Sequence, residues 1–357
     1  PGGTKLHQPA ENNSKPPYSL GHSLQSISIL IRNVQKRVAA VPLATRIHEG
    51  VVGSPSDRRT LLDKLVELFN EIVPPGSHPA LLVADAYYAS RKVILPLMQN
   101  GHQLLTRVRS NAVAYQKAPT SKKPQRGRPK KYGKQIKLRT RFDRQKKFIQ
   151  AASPVYGETG VEISYYVEDL LWRPIGKLVR FVWVIHPTRG RMILMCTDCS
   201  IDPLAIIETY GYRFKIEVGF RSAIHQIGTY AYHFWMMDMK PIKKKGGKQY
   251  LHKESETYRK AVMRKIEAYH RFVQLGCIAQ GLLQYLAFTL GDEVWKQFRS
   301  WLRTMKPDQP PSEMVVSYAL RDSLFEFLKV SPEDHKLKEI LTEHMEIQQM
   351  QEYQMAA

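Results

Sequence analysis

β-Branched and apolar residues first concentrate in Ser23–Arg32 (SLQSISILIR) and Val38–Ile47 (VAAVPLATRI), a few residues apart, and predict a pair of antiparallel strands. From Asp57 the period changes: Leu61, Leu62, Leu65, Leu68, Phe69 and Ile72 recur at helical spacing until Pro74-Pro75 stops them. The run Ala80–Ala84 (ALLVA) is short and continuously apolar, as a buried strand should be, and it ends on Asp85. A helix over Ser90–Gln99 and a strand over Gln103–Val108 complete the order strand, strand, helix, strand, helix, strand. Residues 1–20, rich in Pro, Gly, Asn and Lys, show no apolar period and are expected to form an arm that supplies no core strand.

Between about 110 and 200 the rhythm breaks. A polar, very basic stretch precedes strands expected near 135–142, 162–168, 178–186 and 191–197, which together suggest a β-rich insertion. Asp202-Pro203 is a helix start, Asp as N-cap and Pro at the first helical position, and the helix should run to about Gln226. Lysines 240, 243, 244, 245 and 248 flank Gly246-Gly247 in a basic loop, and Glu254–Leu290 reads as one long helix. Two or three shorter helices follow, the last over Lys336–Gln354. The division expected is an arm (1–20), a first α/β part (21–109), the insertion (110–200), a helix that closes the α/β domain (201–235) and a C-terminal helical region with its basic loop (236–357).

Charge narrows the partners. The 357 residues carry 54 Lys+Arg against 32 Asp+Glu, a net +22, which favours a polyanion: nucleic acid first, an anionic membrane surface second. Neither a membrane-spanning apolar run nor a signal peptide is visible, and three cysteines make no disulfide framework, so the expectation is a cytoplasmic protein with no membrane partner. Cys196 and Cys199 form a C-x-x-C, but on an expected strand residues three apart face opposite ways, so they read as spectators rather than a zinc or redox pair.

Two carboxylates stand out. Asp85 lies where open α/β sheets place functional side chains, although a turn or cap role would equally account for it. On the helix near 206–226, Tyr210, Arg213, Glu217 and Arg221 fall within a stripe roughly 80° wide at about 100° per residue. Ile207, Phe214 and Val218 flank this stripe on one side, with Ile216, Phe220 and Ala223 on the other. Such a helix is expected to be mostly buried, with its polar line facing a cleft rather than forming a solvated ion pair.

These residues resemble a known family. Tyr210-x-x-Arg213-x-x-x-Glu217, preceded by Thr197-Asp198 and followed by Phe220-Arg221, is similar to the Y-x2-R-x3-E signature of bacterial insertion-sequence transposases of the DDE class. LLVADAYYAS (81–90) resembles the strand that bears that family's second Asp, and Gly21-His22 resembles part of its second strand. The resemblance implies a ribonuclease-H-like mixed sheet interrupted by the insertion, with Asp85 and Glu217 as catalytic metal ligands for two Mg²⁺ or Mn²⁺ ions. It implies Tyr210, Arg213 and Arg221 on DNA phosphates, a homodimer on double-stranded element ends and target DNA, and a bacterial, nucleoid-associated location. A tryptophan of the insertion stacks on a flipped base in members that form hairpin ends. Trp172 and Trp183 are candidates by location, although Trp183, within the apolar run Val182–Ile185, reads as a core residue.

The sequence departs from that pattern twice. The Lys usual seven residues after the Glu is Ile224 here, with Arg221 the nearby candidate for its charge. The family's first Asp belongs on a first strand, and nothing before Gly21 reads as that strand; Asp57 and Asp63, on or beside a helix, are poor replacements. The expectation is an N-terminally truncated chain with strands 23–32 and 80–84 left unpaired or collapsed together. The alternative function is a catalytically inactive DNA-binding remnant.

The insertion supplies a separate signal. Residues 117–147 hold fourteen Lys/Arg against one acid, Asp143, a run expected to bind DNA with strong salt dependence. Its centre, Arg126-Gly127-Arg128-Pro129-Lys130-Lys131, resembles the AT-hook core, in which Gly lets the backbone lie in a narrow minor groove.

Overall fold

The computed structural model describes residues 4–7, 18–21, 23–33, 37–48, 50–119, 129–232, 249–303 and 305–330, with a few positions between 336 and 343. The arm is not without structure: β1 (Thr4–His7) and β2 (Tyr18–Gly21) pair antiparallel with each other, apart from the other sheets. The hairpin β3 (Leu24–Arg32) and β4 (Val38–Ile47) follows as expected. Its register shifts where Pro42 lies opposite Ser28, an irregularity that lets a residue without N–H sit inside a strand. The adjacent Leu43 carbonyl accepts from Gln274 Nε2 at 2.9 Å instead.

After the short β5 (Val51–Val52) comes α1 (Leu61–Ile72), which buries Leu65, Val66, Leu68 and Phe69. Asp63 fixes its start by accepting from Thr60 N and Oγ1, both at 2.7 Å. The series β6 (Leu81–Ala84), α2 (Arg91–Gln99) and β7 (Gln103–Arg107) matches the expected order, with β6 and β7 parallel. β8 (Val113–Lys117), β9 (Tyr132–Lys137), β10 (Ile149–Ala152), β11 (Glu162–Trp172), β12 (Lys177–His186) and β13 (Gly190–Cys196) follow. The strand expected to reach residue 142 stops at Lys137. Leu138–Asp143 winds instead into a 3₁₀ turn that buries Leu138, Arg141 and Phe142.

The insertion continues the first sheet rather than forming a layer of its own. One path runs β6-β7-β13-β12-β11-β8-β9, with β10 also paired to β11. Alternation along the strands sorts side chains to two faces. Leu104, Phe181, Trp183, Ile193 and Met195 join the cluster formed with α1 and α2, whereas Leu105, Val182, Val184, Leu194 and Cys196 pack with Ile206 and Ile207. Those isoleucines belong to α3 (Pro203–Tyr212), which is capped by Asp202 through Leu204 N and Ala205 N as expected. The result is a mixed α/β sheet with helices on both faces, the ribonuclease-H-like class. Trp183 is fully buried and donates Nε1–H to the Leu138 carbonyl at 2.8 Å, so it is a core residue.

α4 (Lys215–Ser222) runs into a π-helical turn that ends at Gly228, whose φ of 71° closes it in the left-handed region glycine favours. Beyond residues 233–248, which lie outside the described set, β14 (Gln249–Tyr250) pairs with β5. α5 (Glu256–Thr289), α6 (Gly291–Gln297) and α7 (Glu313–Val330) form the helical region. The expected last helix falls largely outside the described residues. Contrary to the expectation from sequence, α5 is long and apolar enough to cross a membrane by length and composition. It packs against β4 and α7, with Val273, Cys277 and Gln280 buried, and leaves a stripe of Leu275, Ile278, Leu282 and Tyr285 exposed.

A cleft of about 600 Å³ separates β3 from β6. Successive residues of both strands, Leu24 to Leu30 and Leu81 to Ala84, line it, so each presents an edge rather than one face. Among the described residues β3 pairs only with β4, and β6 only with β7. The two edges are therefore unpaired and stand apart rather than collapsed. Leu65, Phe69 and Ile72 of α1 contribute to its lining, as do Ile216 and Phe220 of α4.

Replacing Trp183 with Ala should cost about 3–5 kcal/mol in denaturant unfolding, because it opens a cavity and orphans the Leu138 carbonyl. The exposed Trp301 gives the matched control, with a change within about 0.5 kcal/mol.

Candidate functional site

Asp85 follows the last residue of β6 and holds extended backbone (φ −79°, ψ 177°) at the start of a 3₁₀ turn. Its Oδ1 accepts from Tyr87 N at 3.2 Å, so the capping role that its sequence position allowed is realised. Its carbonyl accepts from Thr106 Oγ1 at 2.7 Å, which ties the strand end to β7. The side chain remains exposed and lines the cleft.

Glu217 reaches the same cleft from the other direction. The helix expected as one piece is divided: Arg213 N bonds to Tyr210 O, Ile216 N to Arg213 O and Glu217 N to Phe214 O, the tighter i→i+3 pattern. Gly211 just before the junction faces Val155, where a Cβ would meet Cγ1 at 3.4 Å. The tighter winding still stacks Arg213 over Glu217, with Nη2 donating to Oε1 at 2.7 Å. Asp85, Arg213 and Glu217 thus share one cleft although 132 residues separate the two acids.

The helix is less buried than its composition implies. Ile207 and Ala223 are buried and Ile216 and Phe220 line the cleft, but Phe214, Val218 and Ile224 are exposed. Apolar residues on two flanks identify a helix covered on both sides only if an element covers each, and α4 lies along the open rim. Arg221 is exposed on the same helix, without an ion pair among the described residues.

Electrostatics link the cluster. Burial raises the Tyr210 phenol above its ordinary value; Arg213 and Arg107 oppose this, and Asp85 adds to it. For Arg213, burial works to lower the pKa, but the Glu217 hydrogen bond and the charges of Tyr210 and Asp85 raise it overall. Arg107 was not among the sequence candidates. It ends β7 beside the strand that leads into Asp85, and the rule that selected Asp85, function at strand C-termini, selects it too.

The two acids weighed as replacements, Asp57 and Asp63, are committed elsewhere. Asp57 holds Arg59 through both carboxylate oxygens, at 2.9 and 2.8 Å, and Arg59 beside it keeps its pKa far below the usual range. Asp63 caps α1 and pairs with Lys92 at 3.0 Å. The cysteines are free, and desolvation raises the Cys196 thiol to about 11, so this thiol is inert rather than a ready thiolate ligand. In the basic stretch, Lys130 and Lys131 are exposed, while Arg126 and Arg128 lie outside the described residues. Arg141 is buried and ion-paired with Glu168 at 2.7 Å, and so is removed from the charge available to DNA.

A half-exposed helical ion pair contributes little to stability. Glu217→Gln should therefore change unfolding free energy by less than about 0.5 kcal/mol, measured by urea titration. A loss of several kcal/mol would make Glu217 a structural residue rather than one free for chemistry.

A comparison with curated proteins finds no match. A family model described as a transposase DDE domain matches residues 31–228, more than half of the chain, from the end of β3 through β6 and the insertion to the helix that carries Glu217. The chain belongs to the DDE transposase domain family.

Proposed function

We propose that this chain is the DNA-handling and partial catalytic body of a cut-and-paste transposase acting on insertion-sequence ends. The observation that carries this reading is the meeting of Asp85 and Glu217, remote in sequence, in one cleft beside Arg213 and near Tyr210. Carboxylate oxygens suit Mg²⁺ or Mn²⁺, which in such sites activate the attacking water or 3′-OH and stabilise the leaving oxygen. The donor type fits, but the number does not: two ions need a further carboxylate. Among the described residues no group of three His, Cys, Asp or Glu is placed to hold a metal. In this reading the missing ligand enters on a strand between β3 and β6, where the two open edges offer backbone partners on both sides.

The chain's own residues have defined parts in this scheme. Arg213 can grip a backbone phosphate through parallel N–H bonds once it releases Glu217, Tyr210 offers a hydroxyl beside it, and Arg221 extends the positive line. Arg126, Arg128, Lys130 and Lys131 hold the minor groove of A·T-rich duplex. The homodimer belongs to the same proposal. The exposed α5 stripe, with its spacing of three and four residues, is a surface suited to burial against a second copy, and the setting is bacterial cytoplasm at nucleoid DNA.

The second reading, a DNA-binding remnant without catalysis, gains support from the commitment of Asp57 and Asp63 to other partners. Both readings predict that this chain binds DNA yet gives no strand cleavage with Mg²⁺ or Mn²⁺. End-specific nicking by residues 1–357 alone would place a third ligand among them. Mn²⁺ binding, followed by its electron paramagnetic resonance signal, should weaken at least tenfold in both Asp85→Asn and Glu217→Gln if the two acids share an ion. Binding unaffected by either substitution would remove the metal-site assignment and leave the remnant.

Replacing Arg126 and Arg128 with Ala should weaken binding to A·T-rich duplex more than to G·C-rich duplex in fluorescence anisotropy. Equal losses would reduce the segment to a nonspecific tether.

A further inference from the structure

A second cavity, of about 530 Å³, opens next to the first site. Arg107 from the end of β7, Arg139 from the 3₁₀ turn after β9 and Arg191 from the start of β13 line it. Ser110 and Thr140 add hydroxyls, and Asp143 is the single acid in the lining. All three arginines are exposed, and none forms an ion pair among the described residues. Arg191 is held over the face of buried Phe142, 5.4 Å from its centroid, which restricts its guanidinium without consuming its charge. Three like charges around one cavity repel one another, and only one carboxylate offsets them. An anion seated there would relieve the repulsion.

Position indicates which anion. Arg107 shares the electrostatic surroundings of Tyr210 with Asp85, so the cavity begins one strand away from the first site. We propose that the Arg107–Arg139–Arg191 cavity is a second phosphate subsite, which grips the backbone of the DNA strand running past Asp85 and fixes its direction across the sheet end. The inference rests on the transposase reading for the identity of the polyanion. The guanidiniums and hydroxyls suit phosphate oxygens, which Arg can grip through parallel N–H bonds.

The test is the salt dependence of duplex binding by the whole chain, read as fluorescence anisotropy of a labelled duplex. Removing one phosphate-binding cation should make the slope of log K against log[salt] shallower by about 1. Arg139→Ala/Arg191→Ala should therefore flatten it by about 2. Arg139→Lys/Arg191→Lys should keep the slope but bind more weakly, since lysine retains charge without the fork. Lys260→Ala, on the exposed face of α5, is the control and should leave the slope unchanged. A slope in the double alanine variant equal to that of the control overturns the subsite, as does full affinity in the double lysine variant. Arg213→Ala, measured in parallel, separates the two proposals. A weakening there with no effect at the cavity refutes only the subsite, whereas no weakening at either refutes the DNA path past Asp85 as well. Equal melting temperatures for all variants exclude unfolding as the source of any change.

Discussion

Burial of both faces of one sheet is the constraint on which the rest of this molecule depends. Through the middle of β7, β12 and β13 successive residues are enclosed alternately, one by one layer of helices and the next by the other. A strand enclosed in this way cannot slip by one residue without exchanging the contents of the two cores. Register is therefore fixed, and with it the height at which each strand ends. Asp85 and Arg107 emerge side by side because Ala84 lies against Thr106, and Thr106 then bonds the Asp85 carbonyl. Glu217 is placed less rigidly, through α3 anchored by Ile206 and Ile207 and a tightened turn beyond it.

Much of this was legible from residue patterns. The alternation of strands and helices up to residue 108 emerged in the expected order because each element has its own period and its own stop. Asp85 could be singled out as a candidate because it terminates an apolar run, and Glu217 because it stands four residues from Arg213 on a helical segment; that both line one cleft is what the fold adds. The insertion was harder. Its strands were visible, but that β13 would pair with β7 and extend the existing sheet depends on pairing across about ninety residues, which no local pattern encodes. Exposure of Phe214 and Val218 was hidden for a related reason: apolar periodicity shows which residues share a helix face, not whether another element covers it. Arg107 was overlooked because an arginine at a strand end is ordinary until its neighbour strand is known.

The open cleft and the charged surfaces describe a molecule whose polar functions lie at its margins. Apolar walls from α1 and α4 meet two strand edges left unpaired among the described residues, so the cleft offers hydrogen bonds along its length and charge at one end. Counterions and nucleic acid compete for the outer surfaces, while the strand edges call for a backbone partner that would satisfy them fully.

A small polar knot behind α4 has a broader implication. Ser222, at the end of α4, donates to Glu313 of α7, and the same carboxylate accepts from Gln284 of α5 at 2.6 Å. Gln280 binds the Gly219 carbonyl at 3.0 Å, and Gln284 reaches the Ala40 carbonyl of β4. The residues that match the family model end at 228, yet the helix bearing Glu217 is fastened by side chains from 280 to 313. The boundary of recognisable ancestry is thus not the boundary of mechanical cooperation. A fragment trimmed to the matched segment would retain every residue of the signature while losing the brace that sets its angle, so sequence kinship alone is a poor guide to where such a protein can be cut.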